Sequence, residues 1–110
     1  MTKAEVVNRY GDEVWARGDF SLLPELLTED FVGHIGGRDR DIEGLRVDIE
    51  LFRAQHPNLH VDRLQQFEAG DRVVSRLRIY SAGKVAHGIN VSRVVGGRIA
   101  EEWAVWTDFE

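Results

Sequence analysis

Residues 85–106, VAHGINVSRVVGGRIAEEWAVW, decide the fold. Two runs rich in valine, isoleucine and tryptophan, residues 85–95 and 99–106, lie on either side of Gly96-Gly97, as in a pair of strands. Two consecutive glycines favour a type I′ turn, because both central residues of that turn need positive φ. The stretch therefore predicts a β-hairpin near the end of the sequence.

The strand pattern extends back towards residue 59, where apolar residues begin to recur at every second position. Within residues 72–82, one side of the predicted strand carries Val73, Ser75, Leu77 and Ile79. Short glycine-containing turns at residues 69–71 and 81–84 join these strands. We therefore expect antiparallel neighbours in one sheet.

Three helical segments are predicted before the strands. Thr2 and Glu5 form a capping box, and apolar residues then recur at helical spacing as far as residue 15. Asp19 is a suitable N-cap for a short second element, and Asp41 for a third helix that ends before Pro57. Helices that precede an antiparallel sheet indicate an α+β fold.

Length and charge narrow the class of protein. A chain of 110 residues predicts one domain over residues 1–110. The net charge of −5 repels a phosphate backbone, so we expect no nucleic-acid partner. No apolar stretch is long enough to span a membrane, and residues 1–5 do not form the basic region followed by an apolar run that is typical of a signal peptide. A cytoplasmic location is therefore expected.

Metal sites and common cofactor motifs are not predicted. The sequence has no cysteine, and therefore no thiolate nucleophile or Cys-based zinc site. His56 and His60 are four residues apart, but Pro57 prevents a helix from presenting them together to a metal. No phosphate-binding loop, dinucleotide fingerprint or serine-hydrolase elbow is present.

Several blocks resemble the SnoaL-like branch of the NTF2-like superfamily, and in order they cover nearly the whole chain. They are ARGDF at 16–20, LLTEDFV at 26–32, HPNL at 56–59, EAGDRVVSR at 68–76, NVSRV at 90–94 and GRIAEEW at 97–103. The resemblance implies a cone-shaped roll, in which N-terminal helices wrap a curved antiparallel sheet around an apolar pocket. It also implies a homodimer, a small apolar ligand and no cofactor.

The resemblance extends to the ketosteroid isomerases of the same superfamily and implies a catalytic set. Tyr10 aligns with their helix-one tyrosine, His34 with their catalytic base and Asn90 with their oxyanion donor. Histidine exchanges protons near neutral pH, and asparagine donates a hydrogen bond without ionising. Asp108 is a candidate partner of His34 or an independent base. Each residue also has an alternative interpretation: Tyr10 is a core tyrosine, His34 is structural, Asn90 is bonded to backbone and Asp108 is solvated.

Substrate-binding candidates are mainly aromatic. They are Trp15, Phe52, Arg76, Trp103 and Trp106. The aromatic side chains either line a cavity or simply fill the core. Arg76 lies either in a cationic pocket wall or on a dimer face, ion-paired with Glu101 and Glu102.

Two hypotheses about function follow. The first is an enzyme that carries out acid/base chemistry, such as isomerisation, cyclisation or hydrolysis, on a small apolar carbonyl compound. The second is a non-catalytic NTF2-like module that binds a hydrophobic ligand or dimerises. The enzyme hypothesis predicts that Tyr10, His34 and Asn90 surround one cavity of about 300 Å³ or more.

Overall fold

The computed structural model describes residues 1–110 and contains three helical segments. In the first segment, helix α1 covers Lys3–Arg9 and continues as a π-helix over Tyr10–Ala16. In the second, a 3-10 turn at Phe20–Leu22 leads into α2 (Leu23–Leu26). The third is α3, which covers Ile42–Gln55. None of these helices is long and apolar enough to cross a membrane.

The predicted helix starts are confirmed. The hydroxyl of Thr2 accepts a hydrogen bond from the Glu5 backbone, and the Glu5 carboxylate accepts one from the Thr2 backbone. Asp19 accepts from the backbone of Ser21, and Asp41 accepts from the backbone of Gly44. The π-helical part of the first helix is not predicted by the sequence pattern.

Six strands form one curved, unclosed sheet in the order β2-β1-β6-β5-β4-β3. They are β1 (Leu27–Ile35), β2 (Arg38–Arg40), β3 (His60–Ala69), β4 (Arg72–Ser81), β5 (Lys84–Val95) and β6 (Arg98–Trp106). The predicted α+β class is confirmed. The sheet is mixed, however, because β1 pairs with β6 in parallel while every other pair is antiparallel.

The predicted terminal hairpin is β5–β6. Gly96 and Gly97 have φ values of 58° and 80°, as a type I′ turn requires. The pairing then shifts, since Val94 lies opposite Ile99 while Arg93 lies opposite Glu101. Ala100 is therefore an extra residue, and this β-bulge reverses the faces of the residues that follow it.

The helices pack against one face of the sheet, which we call the inner face. The main core lies between the helices and this inner face, and it includes the buried residues Val14, Leu26, Phe31, Leu45 and Ile49. The other, outer face of the sheet carries no helix.

Candidate functional site

A cavity of about 90 Å³ lies on the inner face of the sheet. The first helix, α3 and strands β3 to β6 all contribute to its wall, which is largely apolar. Its volume is about a third of the expected ~300 Å³. The space is therefore narrow, and the few polar groups on its wall are close to anything that enters it.

One carboxyl group, that of Glu102, lies on this wall and is 1% exposed. The Tyr10 hydroxyl donates a hydrogen bond of 2.9 Å to Oε1 of Glu102. The side-chain amide of Asn90 donates to the other carboxylate oxygen, Oε2. Tyr10 and Asn90 thus lie on the wall of one cavity, as the enzyme hypothesis expects, and both donate to Glu102, a residue that the hypothesis did not include.

Burial has the largest effect on the pKa values of Glu102 and Tyr10. It raises the pKa of Glu102 from 4.5 to about 7, and the hydrogen bonds from Tyr10 and Asn90 offset it only in part. Burial, together with the adjacent Glu102 carboxylate, raises the pKa of Tyr10 well above its ordinary value. Near neutral pH, therefore, Glu102 exchanges a proton while Tyr10 remains a hydrogen-bond donor.

A neighbouring serine orients the side chain of Asn90. The hydroxyl of Ser92, which is fully buried, donates to Oδ1 of Asn90 at 2.9 Å. Because this bond occupies the amide oxygen, the amide nitrogen of Asn90 faces Glu102. Ser75, another cavity residue, accepts a hydrogen bond of 3.0 Å from Gln66.

Three aromatic side chains form a second part of the wall. Trp15 lies 5.5 Å from Phe52 and 6.2 Å from Trp106, and Phe52 lies 5.3 Å from Trp106, all between ring centroids and edge to face. All three residues line the cavity, and their role in substrate binding stays a prediction. They make this part of the wall apolar.

His34, the predicted base, lies outside this cavity. Its Nδ1 is 2.7 Å from Asp39, its Nε2 is 2.7 Å from Glu101, and its ring stacks on Trp103. Hydrogen bonds to Glu101 and Asp39 raise the pKa of the imidazole. β1 alternates its faces, so His34 lies on the outer face while its neighbours Phe31 and Ile35 are buried.

Three other predicted residues also lie away from the cavity. Trp103 lies on the outer face, with the Arg72 guanidinium above its ring. Arg76 is exposed and donates to Gln65 at 2.9 Å. It does not line the cavity and forms no ion pair with Glu101 or Glu102 within the chain, and its place on a dimer face stays a prediction. Asp108 is exposed beyond the last strand and has no side-chain partner.

Glu102 was missed because of the β-bulge. Simple alternation after Ile99 places Glu101 on the inner face and Glu102 on the outer face. The extra residue Ala100 reverses this, so that Glu102 is buried and Glu101 pairs with Arg93 at 3.2 Å. The one signal in the sequence that is consistent with such a shift is the pair of adjacent apolar residues, Ile99 and Ala100, directly before the two glutamates.

No group of three or more histidine, aspartate and glutamate side chains is arranged to hold a metal ion. The polar side chains on the cavity wall are Tyr10, Arg63, Ser75, Asn90 and Glu102. Among them Glu102 can exchange a proton near neutral pH, and Tyr10 and Asn90 donate hydrogen bonds to it.

Comparison with known proteins agrees with this architecture. A sequence model of the SnoaL-like polyketide cyclase family matches residues 5–109. IdmH from Streptomyces antibioticus, described as a candidate polyketide cyclase, is 23% identical, with 96% of this chain and 92% of that chain covered and a TM-score of 0.83. A candidate polyketide cyclase from Bacillus cereus is 28% identical over 94% of this chain and 73% of that chain, with a TM-score of 0.83.

AclR from Streptomyces galilaeus, described as a candidate hydroxylase, shares the fold with a TM-score of 0.79. It is 18% identical, with 96% of this chain and 88% of that chain covered. No protein with a curated function matches the sequence. The NTF2-like fold that the sequence resemblance implied is confirmed.

Proposed function

The chain belongs to the SnoaL-like polyketide cyclase family, and we propose that it catalyses proton transfer next to the carbonyl group of a small apolar compound. The observation that supports the proposal is the buried carboxyl of Glu102 on the cavity wall, bonded to Tyr10 and Asn90. Strongly perturbed carboxyl groups in a cleft are typical of catalytic sites.

In the proposed reaction, the ionised Glu102 removes a proton from the carbon next to the carbonyl. The C–H bond breaks, an O–H bond forms on Glu102, and the electron pair moves into the carbonyl group to give an enolate. Glu102 then returns the proton to the same or another carbon, which completes an isomerisation or prepares a ring closure. A base works best when its pKa lies near the operating pH, and about 7 meets that condition.

In this proposal Tyr10 and Asn90 act on Glu102, and Asn90 also keeps its expected role as an oxyanion donor. Both donate to Glu102 in this structure, so they orient the base and stabilise its ionised form. The amide nitrogen of Asn90 carries two hydrogens, of which one is given to Glu102. The second is available to the enolate oxygen, which is a preorganised interaction of the kind that stabilises oxyanions.

The test uses 2-butanone in deuterated buffer and follows exchange of its α-protons by NMR, against the same ketone in buffer alone. Glu102→Gln should lower the protein-catalysed rate by about 10²- to 10⁴-fold, the usual contribution of a general base. His34→Gln and Glu68→Gln, which change an outer-face imidazole and an exposed carboxylate, should retain the rate. A loss in His34→Gln with none in Glu102→Gln would refute the assignment.

The second candidate function is binding of a hydrophobic ligand without turnover. The largely apolar cavity wall favours it, because such a wall holds a ligand whether or not a base is present. Saturation-transfer NMR that detects 2-butanone bound to the wild-type protein, with no exchange above buffer, would support binding alone.

We also propose that the protein is a homodimer that associates through the outer face of the sheet. Ile89 and Val105 lie opposite each other there and are 50% and 68% exposed. Adjacent exposed apolar side chains of this kind mark association surfaces. Light scattering after size exclusion should give twice the monomer mass, and Val105→Asp should reduce it. A monomeric wild-type protein would refute the proposal.

A further inference from the structure

We propose that Ser75 is a further catalytic residue, whose hydroxyl donates a hydrogen bond to the carbonyl oxygen of the substrate beside Asn90. The reaction step in this inference rests on the proposed function, whereas the contact between Ser75 and a bound ketone does not need turnover. Ser75 lies on the cavity wall in β4 and is 2% exposed. A buried polar group on a largely apolar wall calls for hydrogen-bonding partners, and a ligand can be one of them.

Only part of the hydrogen-bonding capacity of the Ser75 hydroxyl is used within the protein. Its oxygen accepts a hydrogen bond of 3.0 Å from the side-chain amide nitrogen of Gln66, and its hydrogen has no acceptor in the chain. A serine hydroxyl both accepts and donates, so one donor remains. The Gln66 amide nitrogen also donates to Asn8 at 2.6 Å, which fixes its orientation. The hydroxyl hydrogen of Ser75 therefore turns away from Gln66.

The pairing of β4 with β5 places this donor next to Asn90. Ser75 lies directly opposite Asn90 in the sheet, and the Cβ atoms of such a pair are about 5 Å apart on the same face. The amide nitrogen of Asn90 has a second hydrogen that Glu102 does not take. Two donors from neighbouring strands are therefore adjacent on the cavity wall, where one acceptor oxygen can receive both.

This pair of donors suits the reaction that Glu102 would catalyse. Ser75, Asn90 and Glu102 lie on the consecutive strands β4, β5 and β6, with Asn90 in the middle. In the proposed complex the carbonyl oxygen lies between Ser75 and Asn90, and its α-carbon faces Glu102. As Glu102 takes the proton, negative charge develops on that oxygen and both hydrogen bonds become stronger. Donors that are in place before the reaction lower its barrier in this way.

Arg63 is the cation on the same wall, and its charge is balanced within the protein. Its Nη2 donates to the backbone carbonyl of Asn8 and to the Asp12 carboxylate, at 3.0 Å each. Its side chain is 21% exposed, so water reaches its remaining N–H groups. Its strand, β3, is separated from the strand of Asn90 by β4. Ser75 is therefore the better placed of the two donors for a carbonyl that Asn90 also binds.

The test compares Ser75→Ala with Ser81→Ala. Both changes remove a buried hydroxyl from β4, but Ser81 does not line the cavity and donates to the Pro57 carbonyl at 2.7 Å. Ser75→Ala should lower kcat for α-proton exchange of 2-butanone by about 10²-fold, the usual cost of one lost oxyanion donor. The pH profile should keep its midpoint, because Ser75 forms no hydrogen bond with Glu102. Ser81→Ala should retain the wild-type rate.

A second measurement does not depend on turnover. It uses 2-butanone labelled with ¹³C at the carbonyl carbon, whose chemical shift moves downfield when the oxygen accepts a hydrogen bond. The shift of the bound ketone is obtained by titrating the protein and extrapolating to saturation. Relative to the wild type, the bound resonance should move upfield in Ser75→Ala and stay in place in Ser81→Ala.

The outcomes separate this inference from the proposed function. A wild-type rate in Ser75→Ala, with an inactive Glu102→Gln, would overturn the role of Ser75 and leave the proposed catalysis standing. If no protein accelerates exchange but Ser75→Ala moves the carbonyl resonance, the contact stands and the catalysis fails. An equal loss of rate in Ser81→Ala, or a loss in Arg63→Gln with none in Ser75→Ala, would also overturn the role of Ser75. A wild-type protein that neither binds 2-butanone nor accelerates its exchange would overturn both proposals.

Discussion

Replacing Glu102 by glutamine should make the protein more stable above neutral pH and remove part of its pH dependence. Burial raises the pKa of Glu102 from 4.5 to about 7. Between these two values, the folded state retains a proton that the unfolded state has released. The free energy of unfolding therefore falls as pH rises from 4.5 to about 7, and the loss is complete above that range.

The size of the effect follows from the pKa values. At about 1.4 kcal/mol per pKa unit, a rise from 4.5 to about 7 corresponds to about 3 kcal/mol. Glutamine stays neutral and avoids this loss. Its single carbonyl oxygen accepts from Tyr10 or Asn90 less completely than the carboxylate does, at a cost of about 1 kcal/mol. The variant should therefore be about 2 kcal/mol more stable than the wild type at pH 8.5.

Urea denaturation, followed by tryptophan fluorescence at intervals from pH 5 to pH 8.5, measures this difference. Glu68→Gln makes the same chemical change at an exposed position of β3 and should follow the wild type. His34 is present in all three proteins, so its own titration cancels in the comparison. A difference between Glu102→Gln and the wild type that stays constant over this range would refute the argument that Glu102 ionises in a buried site.

Three further variants test the surroundings of Glu102 and the role of His34. Tyr10→Phe removes a donor to the carboxylate, so the pKa of Glu102 should rise further and urea denaturation above pH 8 should show a loss of about 1 to 3 kcal/mol. Ser92→Ala frees Oδ1 of Asn90 to turn towards Glu102, which favours the protonated form of Glu102. The pH profile of α-proton exchange should therefore move to higher pH, with KM unchanged. His34→Gln should keep the exchange rate within about twofold, the usual effect of a surface change. Because Glu101 and Asp39 raise the pKa of His34, its stabilising effect is present below 6.5 and lost as pH rises through the folded value, so urea denaturation of His34→Gln should show a smaller decline over that interval.

Features that depend on neighbouring residues could be predicted from the sequence. The capping residues Thr2 and Asp41 and the turn at Gly96-Gly97 are set by backbone groups two or three residues away, and each is confirmed. Strand β5 alternates without interruption, so Asn90 and Ser92 share one face as the period of two requires.

Features that depend on distant pairing could not be predicted. The parallel contact of β1 with β6 joins residues about seventy positions apart, and nothing local to β1 specifies its direction. The β-bulge at Ala100 shifts the pairing of β6 with β5, so a strict period of two does not place Glu102 on the inner face. The prediction of His34 as a base rests on the family resemblance and on the intrinsic pKa of histidine, whereas the face of β1 on which it lies is decided by packing.

The cost of keeping Glu102 buried favours the catalytic hypothesis over the binding module. A cavity that only holds an apolar ligand is served equally well by glutamine at this position, because an amide fills the same space and does not titrate. Relative to glutamine, Glu102 instead lowers the stability by about 2 kcal/mol above neutral pH, a substantial part of the 5 to 15 kcal/mol typical of a folded protein. Sites that carry out proton transfer commonly bear such a cost, since activity requires a group that stability alone disfavours. Catalysis therefore predicts that Glu102→Gln is both more stable at pH 8.5 and inactive, whereas a binding module predicts the same gain in stability with unchanged affinity for 2-butanone and no activity to lose.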